Sequence, residues 1–181
     1  MSAIGAVHLV FSLLAILLGA IVMMLPKGTR WHRSWGHGYF WSMIGVVVTA
    51  LALYNLTGRA TPFHFAAVIA GGTVLAGMWT VLRRRPKKAW IGVHATWMAW
   101  SYVGLLAAFV AESLTRFVMP AGAQALDGNA LLPAFWTLVA LGSAATIGAG
   151  AWWIGARLPA TVAATSAAIR LERAELRDAD D

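Results

Sequence analysis

Five times along the chain, apolar residues run far enough to cross a membrane, and each run closes in a short polar, glycine- or proline-containing break. The runs lie near Ala3–Leu25, His37–Leu56, Pro62–Leu82, Trp90–Ala111 and Leu131–Ile154. At about 1.5 Å rise per residue, each spans a hydrocarbon core about 30 Å thick. Backbone polar groups in lipid must be satisfied within their own segment, so each run is predicted to be a helix. The pattern therefore predicts an all-α, polytopic membrane bundle of about five transmembrane helices. The first run resembles a signal peptide, but it lacks a basic leading region, is too long, and is followed by no small-residue cleavage site.

The breaks differ. Thr57–Thr61 is predicted as a short turn around Gly58, and a basic loop surrounds Pro86. A longer loop from Glu112 to Ala130 carries Pro120, Gly122 and Gly128. Beyond Leu158 the chain turns polar and ends in acidic residues. Two units follow: residues 1–157 as the bundle and 158–181 as a polar tail containing a solvated helix.

Composition agrees with lipid as the missing solvent. Of 181 residues, 60% are hydrophobic and 12% charged, with mean hydropathy +0.70. No soluble domain of this size hides that much apolar surface. The net charge of +7 sets orientation instead of serving nucleic acid. Lys27, Arg30 and Arg33, then Arg83, Arg84, Arg85, Lys87 and Lys88, then Arg157, Arg170, Arg173 and Arg177 fall on one side. Only Arg59 and Arg116 fall on the other. This asymmetry predicts an external N-terminus and a cytoplasmic C-terminus. Cysteine is absent, which excludes disulfides, thiolate metal sites and covalent haem attachment.

Candidate chemistry rests on histidine. By depth, His8 and His64 pair near the outer face, and His37 and His94 near the inner one, with His32 in the basic loop. In an up-down bundle, helices 1 and 3 tend to lie diagonally, as do helices 2 and 4. Two neutral imidazoles at one depth can take both axial positions of a haem iron. His8 with His64, and His37 with His94, are thus candidate ligands of an outer and an inner haem b in an electron-transfer protein, with quinone as an exchange partner. Interfacial histidines also serve simply as hydrogen-bonding groups between helices. That alternative makes the chain an accessory or scaffold subunit docking a membrane partner. A divalent metal on His8, His64, His37 and His94 is a third reading, although a closed structural site wants four ligands together. Glu112 precedes Arg116 by one helical turn, which suits a surface ion pair or a proton-relay carboxylate. Gly72 with Ala76, and Ala144 with Gly148, are small pairs of the kind that permit close helix packing. Trp31, Trp35, Trp41, Trp79, Trp90, Trp152 and Trp153 cluster toward one boundary as an aromatic belt.

Two segments form longer patterns. Lys27-Gly28-Thr29, His32-Arg33, Gly36 and Tyr39 make one, and His94, Trp97-Met98 and Ser101-Tyr102 make the other. With the early histidine of the first run, they resemble the bacterial membrane family called domain of unknown function 2306. The resemblance covers the first four runs. It departs from the family where Ala95 and Thr96 follow His94 in place of arginines, making that interface less basic. It implies a polytopic inner-membrane protein with His8, His32 and His94 on matching positions, and it makes His32 an alternative to His37 as the inner partner of His94.

Overall fold

The computed structural model describes residues 2–53, 58, 61–87, 89–125 and 127–180. Arg59, Lys88 and positions 57, 59 and 60 of the expected 57–61 turn therefore lie outside the described residues. Five helices follow in order: α1 (Ala3–Met24), α2 (Arg30–Leu51), α3 (Pro62–Arg83), α4 (Trp90–Ala125) and α5 (Gly128–Asp180). Helices α1, α3, α4 and α5 are long and apolar enough to cross a membrane. Helix α2 has the same 22-residue length as α1 and packs between α1 and α3, but its first turns carry Arg30, His32 and Arg33. The chain is a helical membrane bundle.

The α1–α2 connection shows how residue types set the ends. Pro26 cannot continue α1, and Lys27 Nζ donates to the carbonyls of Val22 and Met23 at 2.8 and 2.7 Å. Those carbonyls otherwise lack intrahelical partners and carry the negative end of the helix dipole. Gly28 has φ +82°, a conformation that costs a side-chain-bearing residue energy. Thr29 then caps α2, its Oγ1 accepting from the His32 amide at 3.2 Å. The Lys-Gly-Thr triplet is thus a stop, a turn and a start.

Helix α1 packs on α2 and α4, and α3 packs on the same two. Among the described residues neither α1 with α3 nor α2 with α4 comes into backbone contact. The four form a square with those pairs on the diagonals, and α5 lies outside it against α4. The centre is filled by Ala15, Tyr39, Met43, Val74 and Leu105. Large apolar side chains face outward instead, among them Leu17, Trp41, Phe65, Trp79 and Trp152. Lipid is the solvent for that surface.

Three expectations change. Helix α2 begins seven residues before His37, because its start is set by the Thr29 cap and not by the onset of apolar residues. Among the described residues the expected loop at 112–130 is helix over 112–125 and 128–130, with α4 continuing through Pro120. Proline removes one backbone bond there, and packing of α4 on α5 outweighs it: Ala111, Phe135 and Val139 are buried together. Asp127 then caps α5, its Oδ1 accepting from the Ala130 amide at 2.8 Å. The polar tail is likewise one helix with the fifth span. Its 53 residues reach about 80 Å, well past the bilayer.

Close packing also uses other small residues than expected. A side chain at Gly72 or Gly148 would meet nothing. The approaches occur at Gly71 against Val47, Gly142 against Val110, and Gly150 against Val103. Each lies one or two positions away, on the helix face turned inward.

Candidate functional site

The two sequence patterns meet at one place, in the half of the square nearest the basic loops. Tyr39 comes from α2 and Ser101 and Tyr102 from α4, across the diagonal. The Ser101 hydroxyl donates to the Met98 carbonyl at 2.8 Å, so Tyr39 donates to Ser101 Oγ, 2.9 Å away. Tyr102 donates to the Ile16 carbonyl of α1 at 3.2 Å. The two tyrosine rings meet edge to face, 6.2 Å between centroids, and pack over Gly19. These bonds fix α1, α2 and α4 in register, because a buried hydroxyl left unpaired would cost about 1–3 kcal/mol.

Toward the basic loops lie His32 and His94. His94 Nδ1 donates to the Gly77 carbonyl of α3 at 2.9 Å, so the neutral ring carries its lone pair on Nε2. His32 occupies the first turn of α2, on the aqueous side of its apolar stretch. Its ring bonds the Val22 carbonyl and lies within electrostatic reach of His94 and Lys27. His32 Nδ1 is buried with no partner among the described residues. Burial first, then the Lys27 charge and His94, push the His32 imidazole down to about 4, so it is neutral at physiological pH.

This shift has a sign that can be checked. The ordinary histidine value is 6.5, so as pH falls below it the unfolded chain takes the proton before the folded one. Apoprotein stability is expected to be full above pH 6.5, to decline toward pH 4, and to level off below. Thermal unfolding across that window, compared with His32→Gln, measures it. A wild-type slope equal to that of His32→Gln contradicts the assignment.

His37 does not join this group. It is exposed, and its Nδ1 donates to the Arg33 carbonyl of its own helix at 2.7 Å. Near the basic loops, His32 is within electrostatic reach of His94.

The opposite end holds a second polar cluster. His8 Nδ1 lies 2.8 Å from Thr49 Oγ1 of α2, and its Nε2 lies 3.6 Å from Glu112 Oε2 of α4. Glu112 also pairs with Arg116 at 2.5 Å, as spacing predicts. His64 sits elsewhere in role: the Thr61 amide donates to its Nδ1 at 3.0 Å, making His64 the third residue of a helix-capping pair at the start of α3. Among the described residues, no three of His, Cys, Asp and Glu gather as a metal ion requires. The His8–Glu112 contact was not visible in the sequence, since 104 positions separate the residues. The only signal was that each lies on an inward face near the same membrane boundary.

No curated protein and no solved structure matches the chain. A family model described as "Predicted membrane protein (DUF2306)" matches residues 5–154, which include both patterns and all five histidines. With its helical architecture and lipid-facing surface, the chain belongs to this family of predicted membrane proteins.

Proposed function

We propose that the chain is a multi-pass protein of the bacterial inner membrane that transfers electrons through one b-type haem held between His32 and His94, with a quinone as exchange partner. The observation that carries the reading is that these two imidazoles, on the diagonal helices α2 and α4, lie within electrostatic reach of each other. His94 has its Nδ1–H anchored on a backbone carbonyl, the second-sphere bond that orients metal-ligating histidines and raises their basicity. His32 has a buried ring nitrogen without a partner among the described residues and is kept neutral by its surroundings, as an imidazole that would bind iron must be. His32 and His94 would hold the haem, which would supply one-electron chemistry when bound.

The proposal carries one haem. A second on His8 and His64 would require His8 Nε2 to turn from Glu112 and His64 to release the Thr61 amide. The accessory-subunit reading draws on one observation of its own. Ala144 and Gly148 leave an exposed small-residue face on α5, suited to another transmembrane helix.

The test is the visible spectrum of detergent-purified protein from cells supplied with haem, first air-oxidised and then reduced with dithionite. A sharp Soret band with resolved α and β bands on reduction is expected of low-spin, bis-histidine iron. A featureless spectrum overturns the proposal and leaves the accessory role.

A further inference from the structure

The cluster at the far end invites a question about protons. Thr49 Oγ1 lies 2.6 Å from the Gly45 carbonyl and 3.1 Å from that of Val46. Its single hydrogen goes to the backbone, so toward His8 it can only accept. His8 therefore carries a hydrogen on Nδ1, whatever its charge. That leaves Nε2 as the exchangeable position, and Nε2 faces the Glu112 carboxylate at ion-pair distance. A lone pair turned toward a carboxylate repels it; a proton between the two makes the contact attractive.

The surroundings give that proton a route. Side-chain exposure rises from 11% at His8 to 30% at Glu112 and 37% at Arg116, so the cluster opens stepwise toward the aqueous boundary at the end of α4. Among the described residues the facing groups are few. Helix α2 contributes Thr49, which does not titrate, and α4 contributes Glu112 and Arg116. Helix α1 itself adds Ser12, whose Oγ lies 3.5 Å from Nε2. Arg116 donates to Glu112 Oε1 through both Nε and an Nη nitrogen, so the carboxylate keeps a cationic partner in either state of the imidazole.

We propose that His8, Thr49 and Glu112 form a proton-binding site at the end of the bundle opposite the basic loops. One proton enters past Arg116 and Glu112 and binds His8 Nε2. Thr49 fixes the other ring nitrogen, and Glu112 is the counter-ion. Release returns the neutral Nδ1–H imidazole and an intact Glu112–Arg116 pair, with no other bond changed. The site stands independently of haem at the other end.

Nitrogen-15 NMR of histidine-labelled full-length protein in lipid nanodiscs tests this, with the His8 signals assigned by their loss in His8→Gln. Wild-type protein is expected to show an imidazolium at His8 on the acid side and the Nδ1–H tautomer on the alkaline side. Glu112→Gln should lose the imidazolium signal at a pH where the wild type shows it. Thr49→Val keeps both ionisable groups and should convert the neutral form to a mixture of tautomers. It decides the matter should Glu112→Gln not fold. An Nε2–H tautomer in the wild type, an unchanged imidazolium signal in folded Glu112→Gln, or an unchanged tautomer in Thr49→Val overturns the proposal.

Discussion

His94→Ala is expected to abolish haem uptake, and His32→Ala to do the same, while His37→Ala leaves the spectrum at wild-type intensity. Removing only an outer-sphere partner of a metal ligand commonly weakens binding about 10–100-fold. Removing the ligand itself should cost at least that much. The distinction between His32 and His37 is the informative part. Both are near the basic loops and five residues apart, but His32 lies within electrostatic reach of His94, whereas His37 is exposed and bonded within its own helix. Haem absorbance against protein concentration for the three variants measures it. Loss in His37→Ala with retention in His32→Ala would reverse the assignment.

The second large effect concerns stability. A methyl group at Gly19 would run into the Tyr102 ring at Cδ2 and Cε2 and reach 3.0 Å from Tyr39 Cε2. Neither ring is free to move aside, since Tyr102 bonds the Ile16 carbonyl and Tyr39 bonds Ser101. Overpacking at such sites costs about 1–3 kcal/mol, and displacing either ring gives up a hydrogen bond worth about 1 kcal/mol. Gly19→Ala should therefore lower the unfolding temperature clearly. Gly77→Ala is the control. Its methyl would meet Met98 Sδ at 2.6 Å, and a thioether with several rotatable bonds can yield. Thermal unfolding in one detergent is expected to rank Gly77→Ala well above Gly19→Ala. Equal stabilities would mean that the tyrosine pair does not lock α1 to α2 and α4.

The number and order of the helices were readable from hydrophobic run length, because lipid imposes that length directly. The ends were not. The start of α2 follows Thr29, a cap three residues from His32, whereas a hydropathy reading begins only where the charges stop. The expected loop after Glu112 became helix because Pro120 and Gly122 weaken a helix by amounts that packing against α5 exceeds, and packing cannot be read from local composition. The small-residue pairs failed by one or two positions, which in a helix turns a residue by 100° or 200° and sends it from the interface into lipid.

The site was legible in the same partial way. Both sequence patterns were visible, and in the first the stop, turn and cap at Lys27, Gly28 and Thr29 follow from residue type. Their meeting through Tyr39 and Ser101 required knowing that α2 and α4 lie across a diagonal. Glu112 was correctly paired with Arg116 from their spacing. Its contact with His8 depends on the relative rotation of α1 and α4, for which no periodicity gives a sign.

The central claim is a single haem between α2 and α4, and a pyridine haemochrome count on purified protein tests it most directly. One haem per chain is the predicted result. A count of zero from haem-replete cells contradicts the electron-transfer reading, and a count of two contradicts the restriction to His32 and His94.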